Sequence, residues 1–556
     1  MRADVVVVGA GPVGLLVAAE LAGYGVRTVV FEAEPAVSER PKATTVHARA
    51  VQCLARRGRL TGLVPPLSDP SKPQPQPQPQ PSRPEWDRTV TRPFRYAGLA
   101  GLTISSPGSE PEPLLKCPQA DLERAFEAQA RAGGARVLRG RRVYGLDIGT
   151  DGVRVSARAC DGRGPEVVCA ASYVVGADGA RGVVRELAGI GSETWPATVS
   201  SMMAQVALPD PSRLAPGWHS TPRGWIVATP VAGGRVSLRT LNPSPDPDPK
   251  SADPGRSAAD GRYGAPTAGE LSREVARILG AEVALGDPRW LSRFNDFSRL
   301  AHAYRRGRVL LVGDAAHIHF PIGGQGLSTG VLDALDLSWK LALTIHGTAA
   351  ADLLDSYAAD RRPAARRVIE DTRTQLLLMR PDPALDPLRA RLVEQLADGP
   401  ANARLAAALS AQDTVVSTRT ERPSAGEGRF LTNRLLATRN GPAELITLLR
   451  PGRPLLLLSG PRAEAYRRRA APWAAILRIV EVASSPGAPE LPGEALLVRP
   501  DGYIGWASGS SGLAEALTAY FGPPADAVAS SKTLAARSGD SSREASTEET
   551  ATLGST

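Results

Sequence analysis

Gly9, Gly11 and Gly14, in the stretch GAGPVG, stand in GxGxxG spacing directly after a short β-branched run, Asp4 to Val8. Each glycine has its own use. Gly9 permits a tight turn, Gly11 lets backbone approach a pyrophosphate, and Gly14 lets helix and strand pack closely. Pro12 and Val13 complete the turn and open a helix that reads to about Gly23, its first N–H groups aimed at phosphate. A second apolar run, Arg27 to Phe31, ends at Glu32, 18 residues past Gly14, where a carboxylate can bind a ribose hydroxyl. Strand, glycines, helix, strand and acid in register make a dinucleotide site. The motif alone leaves FAD and NAD both open.

Two further stretches supply chemistry-bearing residues. In SYVVGADGARGVVREL, residues 172–187, an apolar strand ends at Gly176, Asp178 and Gly179, with Arg181 and Arg185 expected on a following helix. In GRVLLVGDAAHIHFPIGGQGLSTGVLDALDLSWKLA, residues 307–342, a strand from Val309 to Val312 ends at Gly313 and Asp314. The Asp314 carboxylate could accept hydrogen bonds from a polyol. Gly323, Gly324 and Gly326 allow backbone to approach a flat ring. From Leu327 a helix reads towards Ile345, with Leu332, Leu335, Trp339 and Leu343 at helical spacing. Its positive N-terminal end suits the negative charge of a reduced flavin. Plainer readings stand beside these: Asp178 and Asp314 as helix caps, Lys42 as a solvated lysine, Pro321 as a shaper of its loop. His317 and His319 are the only close histidine pair and show no obvious carboxylate partner. His317 reads better as a packing or hydrogen-bonding residue than as a base, and no metal site is expected.

In this order and spacing the three motifs resemble the class A flavin-dependent monooxygenases, the para-hydroxybenzoate hydroxylase superfamily. GDAAHIHFPIGGQGLSTG is similar to that family's flavin-binding GD motif, and GADGARGVVR to its DG motif. RPKATTVHARAVQCLARRG and LLDSYAADRRPAARRVIEDT further resemble the branch that acts on aromatic polyketides. The resemblance runs from residue 1 to about 390, and more weakly to about 522. It implies an α/β fold: a GR2-type Rossmann-like FAD domain with an interleaved β-sheet substrate domain, plus a thioredoxin-like C-terminal domain. It implies FAD as cofactor and NADPH or NADH as co-substrate. Gly9, Gly11 and Gly14 match the pyrophosphate turn, Glu32 the adenosine ribose contact, and Lys42 a basic position near the pyrophosphate. Gln119 matches a cofactor-contacting glutamine, Asp178 the DG acid, and Gly313 and Asp314 the ribityl-binding pair. Pro321 matches the proline beside flavin C4a, through its backbone. Gly324 and Gly326 belong to the ring-facing loop, and Leu327 and Ser328 match backbone donors to the ring. The chain departs from the pattern at Ser328, Leu332 and Asp336, where many relatives carry Asn, Gln and Asn.

The activity so implied uses NAD(P)H to reduce FAD. O2 then adds at flavin C4a, and the hydroperoxide passes one electrophilic oxygen to an electron-rich, polyketide-derived phenolic ring. The ring is activated by its own phenolate, so no side-chain base is assigned. A Baeyer–Villiger oxygenation of a polycyclic ketone on the same fold stays open, as does a non-catalytic binding protein of this fold. A flavin halogenase is disfavoured by the lack of a Trp-x-Trp pair.

Around these motifs the chain divides into an FAD-binding domain over 1–85, 116–190 and 299–395, a substrate sheet over 86–115 and 191–298, a thioredoxin-like domain over 396–524, and a structureless tail over 525–556. RGWIVATPVAGGRVSLRTLN reads as two strands joined by a Gly-Gly turn. The proline–glutamine run Ser68–Trp86 and the polar stretch Asn242–Pro266 read as loops. Net charge is +9, but the basic excess is spread out without interleaved aromatics, so nucleic acid is not an expected partner. No run of about twenty apolar residues exists, and the apolar N-terminus is broken by glycines and by Glu20, so neither a membrane span nor a signal peptide is expected. Four cysteines without a CxxC pair fit a reducing, cytoplasmic setting. A homodimer is left open.

Overall fold

The computed structural model describes residues 1–63, 89–231, 233–243, 266–424, 426–483, 491–509 and 512–524. The proline–glutamine run, most of the 242–266 stretch and the tail lie outside them. The chain forms two compact units. One comprises residues 1–342, 355–415 and 432–434; the other comprises 343–354, 416–431 and 435 onward.

In chain order the elements that build the first unit's site are β1 (Arg2–Val8), α1 (Pro12–Gly23), β2 (Thr28–Phe31), β3 (Arg136–Leu138), β4 (Val167–Gly176), β5 (Ser200–Ala207), β6 (Gly217–Thr221), β7 (Gly224–Val231), β8 (Arg235–Leu241), α2 (Ala268–Leu279), β9 (Trp290–Asn295), β10 (Val309–Leu311), α3 (Gln325–Ile345) and α4 (Ser356–Leu378). Strands β10, β4, β1, β2 and β3 lie side by side in that order, each pair parallel. Val5 to Val8 are buried on both faces, which is why they read as an unbroken apolar run. Because β1 sits between β2 and β4, the strand order reverses there, and a crevice opens at the strands' carboxyl ends. Glu20, the charge that interrupts the N-terminal apolar run, is buried and pairs with Arg57 at 2.8 Å and Arg59 at 2.5 Å. Burial pushes its carboxyl up, but the two guanidiniums outweigh this and hold it below the usual range.

The second sheet is antiparallel, in the order β6-β7-β8-β5-β9. Strict alternation sorts its two faces. Ala204, Val206, Ile226, Ala228 and Leu238 pack under Leu271, Val275 and Ile278 of α2. The other face carries Met203, Val227 and Arg239, which sit in register across β5, β7 and β8.

In the second unit, β11 (Leu455–Leu458), α5 (Ala463–Ala470), β12 (Arg478–Glu481), β13 (Ala495–Val498), β14 (Ile504–Ala507) and α6 (Leu513–Phe521) follow one another. The sheet order is β12-β11-β13-β14, with β11 and β12 parallel and the other pairs antiparallel. This is a thioredoxin-like βαβ followed by ββα.

Three local expectations shift. Arg181 precedes its helix instead of lying on it, because helix 184–187 is a single turn. Helix α3 begins at Gln325, two residues before Leu327. Residues 396–415, expected with the C-terminal domain, lie in the first compact unit: Ala406 and Leu409, in the helix Gly399–Leu409, share a core with Leu102 and Ile104 of the strand Leu99–Pro107. Asn402 Oδ1 accepts a 3.0 Å hydrogen bond from Thr103 N on the same strand.

Candidate functional site

One cavity of about 2460 Å³ is lined by the strand ends of the parallel sheet and by the open face of the antiparallel sheet. Of the sixteen residues expected to hold the cofactor, thirteen line it. Gly14, Gly313 and Ser328 do not.

Sterics explain the glycines. Gly9 has φ +104°, and a Cβ there would stand 2.3 Å from the Ala177 carbonyl oxygen. A Cβ on Gly14 would stand 2.1 Å from Gly9 O, so turn and helix are in backbone contact. Gly11 is different: a Cβ there meets nothing within 4 Å, and its space is the cavity. Gly11 also caps α1 without any side-chain hydrogen bond, so the first N–H groups of the helix have no side-chain acceptor there. Pro12 takes the first helical turn. Val13 fits between Gly313 and Gly330, where added Cβ atoms would lie 3.4 and 2.6 Å from its methyls. That contact packs the N-terminal turn against the Gly313–Ala315 turn. Gly330 is a partner the sequence reading missed.

The acids divide by their partners. Glu32 Oε2 accepts from Ala10 N at 2.6 Å and Oε1 from Glu34 N at 2.7 Å, so the carboxylate holds the turn as well as facing the cavity. Asp178 Oδ2 accepts from Val184 N at 3.0 Å, the helix-capping role. Its buried Oδ1 has no partner among the described residues, and burial raises its pKa. Asp314 caps nothing. It sits in the Gly313–Ala315 turn with its carboxylate exposed to the cavity and no hydrogen-bond partner among the described residues. Gln119 donates to Glu123 Oε1 at 2.8 Å, and Lys42 lies exposed at the rim.

The glycine loop has a support that the sequence did not reveal. His47 Nε2 donates to Gly323 O at 2.8 Å, and Ser328 Oγ accepts from His47 N at 2.9 Å. Burial lowers the His47 pKa to about 4, so it serves as a neutral donor at pH 7. Gly323 and Gly324 both have positive φ, +72° and +65°, as the reversal before α3 requires. The pair His317–His319 also resolves. His317 Nε2 lies 2.7 Å from Asp333 Oδ2, which accepts from Gly313 N at 3.1 Å as well. Asp333 Oδ1 accepts from Arg361 Nε at 2.9 Å. The carboxylate partner was thus present, sixteen residues on. His319 keeps its Nδ1 on Phe320 O at 2.9 Å, and burial lowers its pKa. Asp336, one of the departures from the family pattern, receives a 2.8 Å hydrogen bond from the buried Lys340, which also reaches Asp360 at 2.7 Å.

Aromatic rings form part of the remaining wall. Trp218 and Trp225 meet edge to face at 6.1 Å between ring centroids, and Phe294 and Phe320 lie 5.6 Å apart. Trp225 is fixed by a 2.6 Å hydrogen bond from its indole N–H to Met379 O. In all, nine Lys and Arg line the cavity against three carboxylates, Glu32, Asp178 and Asp314. Among the described residues no helix is long and apolar enough to cross a membrane, and no cluster of three or more His, Cys, Asp or Glu could hold a metal.

Comparison with known proteins places this arrangement. The FAD binding domain family matches residues 2–372, and the family described as aromatic-ring hydroxylase, C-terminal, matches 424–524. A 12-dehydrotetracycline 5-monooxygenase/anhydrotetracycline 6-monooxygenase from Streptomyces rimosus is 37% identical, over 94% of this chain and all of that protein. A dialkyldecalin synthase from Streptomyces rugosporus is 32% identical with the same coverage. The solved structure of an anhydrotetracycline hydroxylase from Streptomyces rimosus superposes with a TM-score of 0.79 at 34% identity, over 94% of this chain and all of that one.

Proposed function

The chain belongs to the FAD-dependent aromatic-ring monooxygenases, and from that premise we propose that it inserts one atom of O2 into a polyketide-derived phenolic ring, consuming NADPH or NADH. The observation that carries this reading is the single cavity in which the glycine turns and acids meet an aromatic wall.

The residues present fit FAD. Gly11 leaves open space beside an uncapped helix start, which suits a diphosphate. Asp314 offers a carboxylate without a protein partner, which suits a polyol. When bound and reduced by NAD(P)H, FAD supplies the activation of O2. The chain's own residues do the rest. We assign the pyrophosphate to Gly9, Gly11, Pro12, Val13 and the α1 N-terminus, with Gly14 closing the turn and Lys42 alongside. Glu32 takes the adenosine ribose, and Gln119 and Asp178 contact the cofactor. Asp314, following Gly313, takes the ribityl chain. Pro321, Gly324, Gly326, Leu327 and Ser328 present backbone to the ring. The neutral His47 holds the Gly323 carbonyl so that the loop keeps its shape without adding charge beside the ring. Trp218, Trp225, Phe294 and Phe320 exclude water and orient a flat substrate. The substrate is thus a small aromatic molecule, with O2 as its co-substrate, and we place the protein in the cytoplasm.

Incubation with NADPH, 18O2 and a panel of polyphenols tests the reading. A product that carries one 18O atom as a new phenolic hydroxyl supports ring hydroxylation. Unlabelled product, as a cyclisation of the dialkyldecalin kind would give, rejects it.

A further inference from the structure

The cavity wall contains one charge in the wrong company. Arg239 lies on β8, and its cross-strand neighbours on the same face are Met203 and Val227. Both of those also line the cavity, as does Leu241 two residues on. The sheet's other face is sealed by α2, so alternation leaves Arg239 nowhere to point but the cavity. Its side chain is exposed to the cavity, and partial desolvation by the surrounding protein lowers its pKa. No carboxylate or carbonyl among the described residues pairs with it. The nearby Lys116 is another cation, held by a 2.7 Å hydrogen bond to Thr45 Oγ1. Burial first, and then the charge of Arg239, depresses the pKa of Lys116. A guanidinium that faces the cavity with no protein partner keeps its planar set of donors free for a bound anion.

We propose that Arg239 binds an ionised ring hydroxyl of the aromatic substrate. This rests on the aromatic hydroxylase reading and narrows it to substrates whose phenol or enol is an oxyanion when bound. A planar guanidinium can donate twice to such an oxygen and its neighbour. The hydroxyl O–H bond breaks heterolytically, the electron pair stays on oxygen beside Arg239, and the proton leaves to water. Nothing is oxidised in this step. The retained pair makes the ring electron-rich, so the cation does by electrostatics what a general base would otherwise do.

The test is calorimetric titration of the FAD-loaded enzyme, without NADPH, using three probes. Alizarin carries an ionised ring hydroxyl at neutral pH, its dimethyl ether carries none, and anthraquinone-2-carboxylate carries its charge elsewhere. Wild type should bind alizarin about ten- to a hundredfold tighter than the ether, the span expected of a charge-assisted hydrogen bond. Arg239→Gln should erase that preference while keeping ether affinity and flavin content. Arg239→Lys should keep part of it, and measured beside Gln it covers a failure of either variant to fold. Equal binding of alizarin and ether by wild type, or a preference that survives in Arg239→Gln, overturns the assignment. So does an Arg239-dependent preference confined to the carboxylate, which would make Arg239 a carboxylate anchor. If none of the three anthraquinones binds wild type, the aromatic substrate reading itself fails and takes the inference with it.

Discussion

At the scale of single residues, the cavity separates groups the protein satisfies itself from groups it leaves open. Asp178 is half satisfied, by Val184 N. Asp314 is open and makes no cap hydrogen bond, which removes support from the cap reading and leaves the ligand contact as the one proposed above. Asp314→Ala should weaken FAD about ten- to a hundredfold, and Asp314→Asn should fall between it and wild type. Flavin titration of refolded apoprotein beside a thermal melt checks this. Unchanged affinity with a lowered melting temperature would return Asp314 to a structural role. Gly11→Val makes the complementary test. Its side chain meets no protein atom at Cβ, so the variant should fold and melt near wild type yet bind little flavin. A yellow Gly11→Val protein would contradict the pyrophosphate assignment. The other two glycines of the motif could not be used this way, because side chains on Gly9 or Gly14 strike backbone at 2.3 and 2.1 Å and would damage the fold itself.

At the scale of elements, what could be read from the sequence and what could not divide along chain distance. Helix α1 was legible to the residue, since Gly11, Pro12 and Gly23 mark its ends locally. The two strands around Gly233 and Gly234 were legible for the same reason. The supports of the glycine loop were not. Asp333 reaches His317 only because α3 folds back over the Gly313–Ala315 turn, and His47 meets Gly323 across 276 residues of chain. No spacing rule records such contacts. Asp333 now carries a consequence for stability. Burial pushes its carboxyl up, but His317 and Arg361 outweigh this and hold it below the usual range. Asp333→Asn should therefore cost on the order of 3 kcal/mol at pH 7, read as a lowered denaturation midpoint. A depressed carboxyl stabilises fully above its unfolded pKa of about 3.9 and loses the contribution as pH falls through the lower folded value. The gap between wild type and variant should stay constant from pH 7 to about 5 and close only below about 4. A gap that closes near pH 6.5 would instead implicate a histidine.

At the scale of the whole molecule, the thioredoxin-like unit has the fold of a redox domain without its chemistry. Its described strands and helices carry no cysteine, and all four cysteines of the chain lie before residue 170. None is in a disulfide, and Cys160 alone is exposed. Burial raises the thiol pKa of Cys117 and Cys169, which blunts them further. Brief maleimide treatment should therefore label one thiol in four and leave NADPH oxidation unchanged; loss of turnover on single labelling would show a working thiol. The nine cations facing three carboxylates have a kinetic consequence as well. FAD and NAD(P)H both arrive as polyanions, and a concave wall with a net positive excess should draw them in before contact and raise their encounter rate. Since screening acts within about 10 Å at 0.1 M salt, rapid-mixing measurements should find the rate of flavin reduction at limiting NADPH falling steeply with ionic strength, while the rate at saturating NADPH barely moves. The nicotinamide cofactor would then be captured by the field of the cavity mouth, a form of recognition that needs no second dinucleotide fold.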